Sequence, residues 1–454
     1  MKRKKRLFTT TRIIALGFLA AILIGTVLLS LPAASANGQP TPLLDALFTA
    51  TSSTCVTGLT TVVTAEHWSL FGQAVILLLV QFGGLGIVTV TTTVLLLLGR
   101  RISLKDRLLI QEAYNLDTLQ GLVRITIRIV RGALAVEAGG ALLYSLQFVP
   151  EFGFLRGVWY SVFHSVSAFC NAGLDLIGSD SLVCYRGNVL VNTVTMLLII
   201  LGGIGFPVWW NILDNLRELR RRHRRNEPGK FLPSAHTKLA LAATAVLIFG
   251  GALLVFVMEY GNPATLGELP LGEKLMASLF QSVTLRTAGF QTIPQQSFRD
   301  GTCMVFLVLM IIGGSPSGTA GGIKTVTAAL ILASVAATVR GEETGLMKRR
   351  FSDRLVKKAV AVFGVSVAAL FVLTTLLLAV QSSDFLDTLY EMTSAMATVG
   401  LSRNFTGSLS EPGRLIVILG MYLGRIGPIT MALAINVKHS GRKLSYPEGR
   451  ALVG

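Results

Sequence analysis

The sequence predicts an all-α integral membrane protein of eight transmembrane spans, arranged as four copies of one unit. Three observations lead there. Of the 454 residues, 52% are hydrophobic and 14% charged, where a soluble domain carries about 25% charged residues. The apolar residues fall into long uninterrupted stretches, giving a mean hydropathy of +0.63. A short glycine motif recurs four times at nearly constant spacing. The net charge of +17 would suggest nucleic acid only if it lay on a water-exposed folded face. It is instead packed into short runs between apolar stretches, which argues against a nucleic-acid partner. The chain is too apolar for disorder, and its four cysteines are too few for a secreted disulfide scaffold.

The spans come first. A helix crossing the bilayer needs roughly 20 apolar residues. Ile13–Leu31, Gly72–Gly99, Gly187–Leu213, Leu239–Met258 and Ala359–Ser383 meet this without any charge. Gly132–Pro150, Gly301–Val339 and Leu415–Val437 meet it with one interior charge each: Glu137, Lys324 and Arg425. The first stretch follows MKRKKR and precedes Ala34-Ser35-Ala36, which is similar to a signal-peptidase site. Its 19 residues exceed the h-region of about 7–15, so it reads as a span.

Orientation follows from the cations. Segments 1–12, 99–121, 214–238, 340–358 and 437–454 hold 29 of the 41 Lys and Arg residues. All five lie on one side if the spans alternate, so the positive-inside rule places both termini in the cytoplasm of a multi-pass cytoplasmic-membrane protein. The run Arg217–Arg225 then reads as a topology signal or a lipid-headgroup contact.

The outward segments each contain a moderately apolar stretch too short to span, consistent with a re-entrant element. They end in Val56-Thr57-Gly58, Asn171-Ala172-Gly173, Thr287-Ala288-Gly289 and Thr398-Val399-Gly400, with the glycines 115, 116 and 111 residues apart. A second marker keeps step: Gly83-Gly-Leu-Gly86, Gly202-Gly-Ile-Gly205, Gly313-Gly314 and Gly424-Arg-Ile-Gly427 follow by 25, 29, 24 and 24 residues. Two markers in register make a fourfold internal repeat, each unit being span, half-helix, glycine loop, span. The repeats run over 1–100, 101–226, 227–345 and 346–454.

Non-helical backbone at membrane depth is tolerated only where protein buries it or where it lines a water-filled cavity. Four such loops can share one axis, with carbonyls directed inward. Glycine reaches positive φ without a Cβ clash, and a ring of carbonyls replaces the hydration shell of a monovalent cation. Half-helices would turn their negative C-terminal dipole ends to the axis. Glycine pairs such as Gly83–Gly86 and Gly202–Gly205 read instead as helix-packing positions.

The pattern resembles the Trk/Ktr/HKT superfamily of potassium transporters, in which one chain carries four M1–pore-helix–M2 units around one pseudo-fourfold pore. The resemblance runs through essentially the whole chain. It is strongest to the Ktr-type membrane subunit, because the first unit starts after only 12 residues. It implies filter positions at Thr57, Gly58, Ala172, Gly173, Ala288, Gly289, Val399 and Gly400, with K+ as the transported ion and Na+ as a coupling or activating ion. A serine at the first filter glycine accompanies sodium selectivity in part of the plant branch; Gly58 therefore implies potassium. Asn171 and Arg286 break the fourfold regularity. The segment Gly313, Gly314, Ser315, Pro316, Ser317, Gly318, Thr319 through Lys324 matches the family's gating loop. Pro316 and the glycines also lower its helical preference on physical grounds.

Arg425 matches the family arginine in Gly-Arg-Ile-Gly-Pro428. A mid-span charge costs from about 2.5 to well over 10 kcal/mol and marks function. Arg425 would either repel cations in the path, hold the loop by hydrogen bonds, or pair with Glu137 or backbone carbonyls. Lys324 is a gate residue or snorkels to the boundary. The resemblance further implies a homodimer whose cytoplasmic face docks a ring of nucleotide-binding RCK-type regulatory subunits, with 217–230 and 348–358 as candidate docking segments. Cys55 and Cys170 lie in the loops without metal-like spacing, and Glu137 could be a proton or sodium site or a buried partner. With no Walker sequence and no paired catalytic groups, the chain reads as a transporter and not an enzyme, and the sequence argues against ATP-driven pumping by this chain. The competing reading, a secondary transporter of another cation or solute, calls for inverted or two-copy repeats instead of four.

Overall fold

The computed structural model describes residues 10–97, 122–227, 230–347 and 349–427. The basic segment 99–121, the C-terminal segment from 428 and the first nine residues fall outside this range, as do 228, 229 and 348 in the candidate docking segments. Among the described residues the regular structure is helical apart from one two-stranded hairpin, β1 (Gly345–Leu346) with β2 (Arg349–Arg350), and two isolated bridges. Taken by the four stretches expected from the sequence, the first unit holds α1 (Thr10–Ser30), α2 (Leu43–Cys55), α3 (Leu70–Leu85) and α4 (Ile87–Leu97). The second holds α5 (Leu122–Phe152), α6 (Phe154–Cys170), α7 (Val189–Gly203) and α8 (Phe206–Arg224). In the third are α9 (Ala235–Glu259), α10 (Leu271–Thr284), α11 (Asp300–Ile311) and α12 (Thr325–Arg340). The fourth holds α13 (Asp353–Val380), α14 (Phe385–Ala397) and α15 (Glu411–Ile426).

Among the described residues, four helices are long and apolar enough to cross a membrane, α1 from Arg12, α5, α9 and α13, and the bent pair α7 and α8 would make a fifth span if taken together. The four are the first helices of the units. They present exposed apolar side chains such as Leu142, Val246 and Phe371, as a lipid-facing surface requires. The second apolar stretches behave differently from the sequence expectation of continuous spans. Gly72–Gly99 is divided into α3 and α4 at Gly86. Gly187–Leu213 is divided into α7 and α8, bent by 95°. Gly301–Val339 is α11 and α12 separated by an irregular loop. The cause is local. Gly86, Gly205 and Gly427 have φ of +83°, +93° and +89°, a region that glycine alone enters freely, so the helical hydrogen-bond ladder stops there.

The glycine pairs ahead of these breaks do pack helices together, as the sequence suggests. A Cβ on Gly83 would strike the Thr54 carbonyl, and one on Gly84 would stand 2.5 Å from Cys170 Sγ. On Gly202 it would strike the Phe169 carbonyl, and on Gly424 that of Met396. These three markers thus let a second helix press against the C-terminal end of a short helix, whereas Gly313 and Gly314 meet Gly321 and Ala320 of their own loop. These short helices, α2, α6, α10 and α14, are the inner layer, with Thr49–Cys55, Ser161 and Phe163–Cys170 buried. Contacts between units run in one cyclic sense: α3 packs on α6, α7 on α10, α11 on α14, and α15 on α2. The apolar core follows the same order, with separate clusters joining the third unit to the fourth and the fourth to the first.

Candidate functional site

The ends of the four short helices build the site. Each helix is followed by a non-glycine residue in the left-handed region: Val56 (φ +57°), Asn171 (+60°), Thr287 (+65°) and Thr398 (+53°). That conformation costs roughly 1–2 kcal/mol per residue. A turn hydrogen bond offsets it in every unit. The Thr57, Ala172 and Val399 amides each donate 2.8 Å to the carbonyls of Ser52, Ser167 and Ser394, and Ala288 donates 2.9 Å to Thr284. The same four residues use their hydroxyls as well. Ser52 and Ser394 accept from the Gly58 and Gly400 amides at 3.0 and 3.1 Å. Ser167 and Thr284 donate to the carbonyls of Leu174 and Phe290 at 2.6 and 2.5 Å.

The chain then reaches Gly58, Gly173, Gly289 and Gly400, all at positive φ. A Cβ on Gly58 would lie 2.5 Å from the Ala172 carbonyl oxygen, and one on Gly173 2.6 Å from that of Ala288. On Gly289 it would lie 2.6 Å from the Val399 carbonyl, and on Gly400 it would strike that of Thr57. The eight residues singled out in the sequence are therefore brought together, each glycine against the carbonyl of the next loop, and the cycle closes. Arg286 does not intrude: it lines neither large cavity and donates to the carbonyls of Gly313 at 3.0 Å and Thr244 at 3.4 Å.

A cavity of about 350 Å³ lies against the four glycines and the residues that follow them, including Thr61, Asp175, Gln295 and Thr406. A second, of about 450 Å³, is lined by residues preceding the ring (Thr393, Met396, Ala397) and by the loop 317–324 with Arg425. The glycine ring separates them.

That loop is folded, not frayed. Ile312 and Ile323 bridge in parallel, with the Gly313 amide donating to Ile323 at 3.0 Å and the Ile323 amide to Ile311 at 2.9 Å. Its middle docks on the break between α7 and α8: Ser315 donates to the Gly203 carbonyl at 2.8 Å, Thr319 to Gly202 at 3.1 Å, and Phe206 to Ser317 at 3.1 Å. Close approach requires glycine on both sides. A Cβ on Gly318 would lie 2.8 Å from the Gly202 carbonyl, one on Gly205 2.5 Å from that of Pro316, and one on Gly314 would collide with Ala320. The Thr319 hydroxyl, 3.0 Å from both the Phe169 carbonyl and Asn171 Oδ1, ties the loop to the end of α6 and the turn that follows it.

Arg425 reaches across the cavity. Its Nη1 donates to the Thr319 carbonyl at 2.6 Å, and Nη2 donates to the carbonyls of Gly83 and, at 3.4 Å, Gly84. Of the roles open in the sequence, backbone carbonyls are its hydrogen-bond partners; Glu137 is held instead by Gln81 Nε2, at 3.1 and 3.0 Å from its two oxygens. Lys324 does not snorkel outward: its Nζ turns back on its own loop, donating to Ala320 at 2.7 Å. All four cysteines are unpaired. Two cationic side chains thus line one cavity whose described lining holds no carboxylate. Chemically, the arrangement offers a carbonyl-lined constriction for a dehydrated cation and, next to it, an electropositive region crossed by a hydrogen-bonded loop.

Residues 3–446 match the family model described as TrkH, cation transport protein. The chain belongs to the TrkH family. This TrkH-family chain is 40% identical to the Ktr system potassium uptake protein B of Bacillus subtilis over 448 residues, covering 98% of this chain and 97% of that one. It is 37% identical over 460 residues to the potassium/sodium uptake protein NtpJ of Enterococcus hirae, covering 100% and 99%. Its fold is similar to that of the potassium transporter TrkH from Vibrio parahaemolyticus, with a TM-score of 0.71 at 16% identity over 96% of this chain and 87% of that one. Membership places it among ion transporters, not enzymes, and among membrane proteins, as the sequence resemblance implies.

Several participants escape a reading of the sequence. The acceptors for Arg425, Gly83 and Gly84, look only like packing positions. The hydroxyls at Ser52, Ser167, Thr284 and Ser394 carry a usable signal, since they recur five or six residues before each glycine.

Proposed function

We propose that this chain is the potassium-translocating subunit of a Ktr-type uptake system. K+ passes through a pseudo-fourfold ring formed by Thr57–Gly58, Ala172–Gly173, Ala288–Gly289 and Val399–Gly400, where loop carbonyls replace its hydration water. The observation that carries this reading is the closed cycle in which each of the four glycines meets the carbonyl of the next loop. The four units, 1–100, 101–226, 227–345 and 346–454, supply eight membrane passages, the second being broken at its glycine marker in each of the first three units. Gly313–Lys324 with Arg425 forms the gate on the cavity side. The cation distribution supports cytoplasmic termini in the cytoplasmic membrane. That the Bacillus relative is named for a Ktr system supports a partnered assembly. In this reading two copies dock a ring of RCK-type nucleotide-binding subunits on basic faces including 217–227 and 349–358. The potassium/sodium name of the Enterococcus relative supports Na+ as a second ion.

The test is ion flux. Expressed with its partner, the chain is expected to restore growth of a potassium-uptake-deficient bacterium at low potassium, and the purified protein to load liposomes with K+. Sealed, protein-containing liposomes without K+ uptake would end the reading.

A further inference from the structure

We propose that Glu391 is a positioning residue for the filter, a buried carboxylate that sets the conformation of the chain leaving Gly400; this rests on the filter reading above. Glu391 lies in α14, nine residues before Gly400, and is fully buried. A buried carboxylate is costly unless its oxygens are hydrogen-bonded. Here each oxygen takes one hydroxyl from the segment beyond the ring: Ser402 donates to Oε2 at 2.6 Å and Thr406 to Oε1 at 2.5 Å. Ser402 is itself fixed, its Oγ accepting the amides of Phe405 at 3.1 Å and Thr406 at 3.3 Å. The residues on both sides of Gly400 are thereby clamped, with Ser394 holding the glycine amide from one side and Glu391 holding Ser402 from the other.

The same register is used differently in each unit. His164, nine residues before Gly173, accepts the Leu176 amide at 3.4 Å. Gln281, eight before Gly289, donates to Gln295 at 2.7 Å, and Tyr390, beside Glu391, also donates to Gln295 at 3.0 Å. Thr49, nine before Gly58, has a buried hydroxyl without a partner among the described residues. Glu391 is therefore the one carboxyl side chain among four aligned positions, and the one that takes a hydroxyl from the segment beyond the ring on each of two oxygens. Ser402, Thr406 and Gln295 line the cavity against the ring. A change in how Glu391 holds this wall alters the fourth loop without adding any group to the ion path.

The full chain in sealed liposomes tests this, read as the ratio of K+ to Na+ uptake and, separately, as melting temperature of the purified protein. Glu391→Gln is expected to lower the ratio by about threefold or more, and Thr406→Val to lower it in the same direction. The double variant should add little, because both remove one network. An unchanged ratio in a folded Glu391→Gln variant would overturn the assignment. If that variant does not accumulate, unchanged ratios in both Thr406→Val and Ser402→Ala overturn it equally. Glu259→Gln is the control: that carboxylate accepts from Thr265, Thr302 and Asn262 but lines neither cavity. It should lower the melting temperature and leave the ratio alone; an equal shift there would show that any lost buried carboxylate suffices, and the assignment would fail. Gly58→Ser on the same vesicles separates the two readings. A ratio moved by Gly58→Ser but not by Glu391→Gln sinks the positioning role alone, whereas a ratio moved by neither takes the filter reading with it.

Discussion

The guanidinium of Arg425 is fastened to the loop through Thr319: Nη1 donates 2.6 Å to the Thr319 carbonyl while Nη2 holds Gly83 on the opposite wall. One side chain from the fourth unit thus joins the third unit to the first across the cavity. Arg425→Ala removes both the bridge and a positive charge from that cavity. Basal K+ flux in liposomes is expected to rise several-fold. A fall in flux from a normally folded variant would show instead that the bridge keeps the path open.

At the ring, sequence and geometry meet at Gly58. Its φ of +95° and the 2.5 Å that would separate a Cβ there from the Ala172 carbonyl oxygen leave no room for a side chain without displacing that carbonyl. Gly58→Ser should therefore weaken K+ preference over Na+, by about tenfold if one coordinating carbonyl is lost at the cost of a typical polar contact of about 1.4 kcal/mol. Competition of Na+ against K+ uptake measures it. Selectivity equal to wild type would remove Gly58 from the filter.

How much of this is legible in the sequence follows from what each feature needs. The four loop glycines announce themselves because the requirement is local: positive φ next to a helix end leaves glycine as the unstrained choice, and the demand repeats in phase. The loop 313–324 is legible for the same reason, through Pro316 and its glycines. The broken second helices are not. Gly86 and Gly205 sit in stretches as apolar as any span, and hydropathy does not register a backbone turned to positive φ. Nor can the sequence choose among the roles of Arg425. Its acceptors are main-chain carbonyls, which every residue carries, so nothing in the residue types at 83, 84 and 319 distinguishes them.

Packing at the α7 break gives a stability prediction. A Cβ on Gly202 would run into the Phe169 carbonyl of α6 and meet the Thr319 hydroxyl of the loop at 2.6 Å, and that hydroxyl is itself tied to the Phe169 carbonyl. Gly202→Ala is therefore expected to destabilise the protein by about 1–3 kcal/mol, the usual range for overpacking. Thermal unfolding of the purified protein should show a lower melting temperature. An unchanged value would mean that α7 can withdraw from α6 at little cost.

Glu137 gives the last prediction, because two roles for it differ in outcome. Its oxygens accept from Gln81 Nε2 at 3.1 and 3.0 Å, Cys170 Sγ reaches Gln81 Oε1 at 3.4 Å, and Glu137 lines neither cavity. A side chain so placed serves to pack α5 against α3 and α6. Glu137→Gln can keep an amide pairing with Gln81, so K+ uptake and any stimulation of it by Na+ should be retained. Gln81→Leu strands a buried carboxyl group and should destabilise by about 1–3 kcal/mol, the cost of leaving a buried polar group unsatisfied. Uptake with and without Na+, alongside melting temperature, separates the cases. If Glu137→Gln abolishes Na+ stimulation while the fold is intact, Glu137 belongs to ion coupling and not to packing.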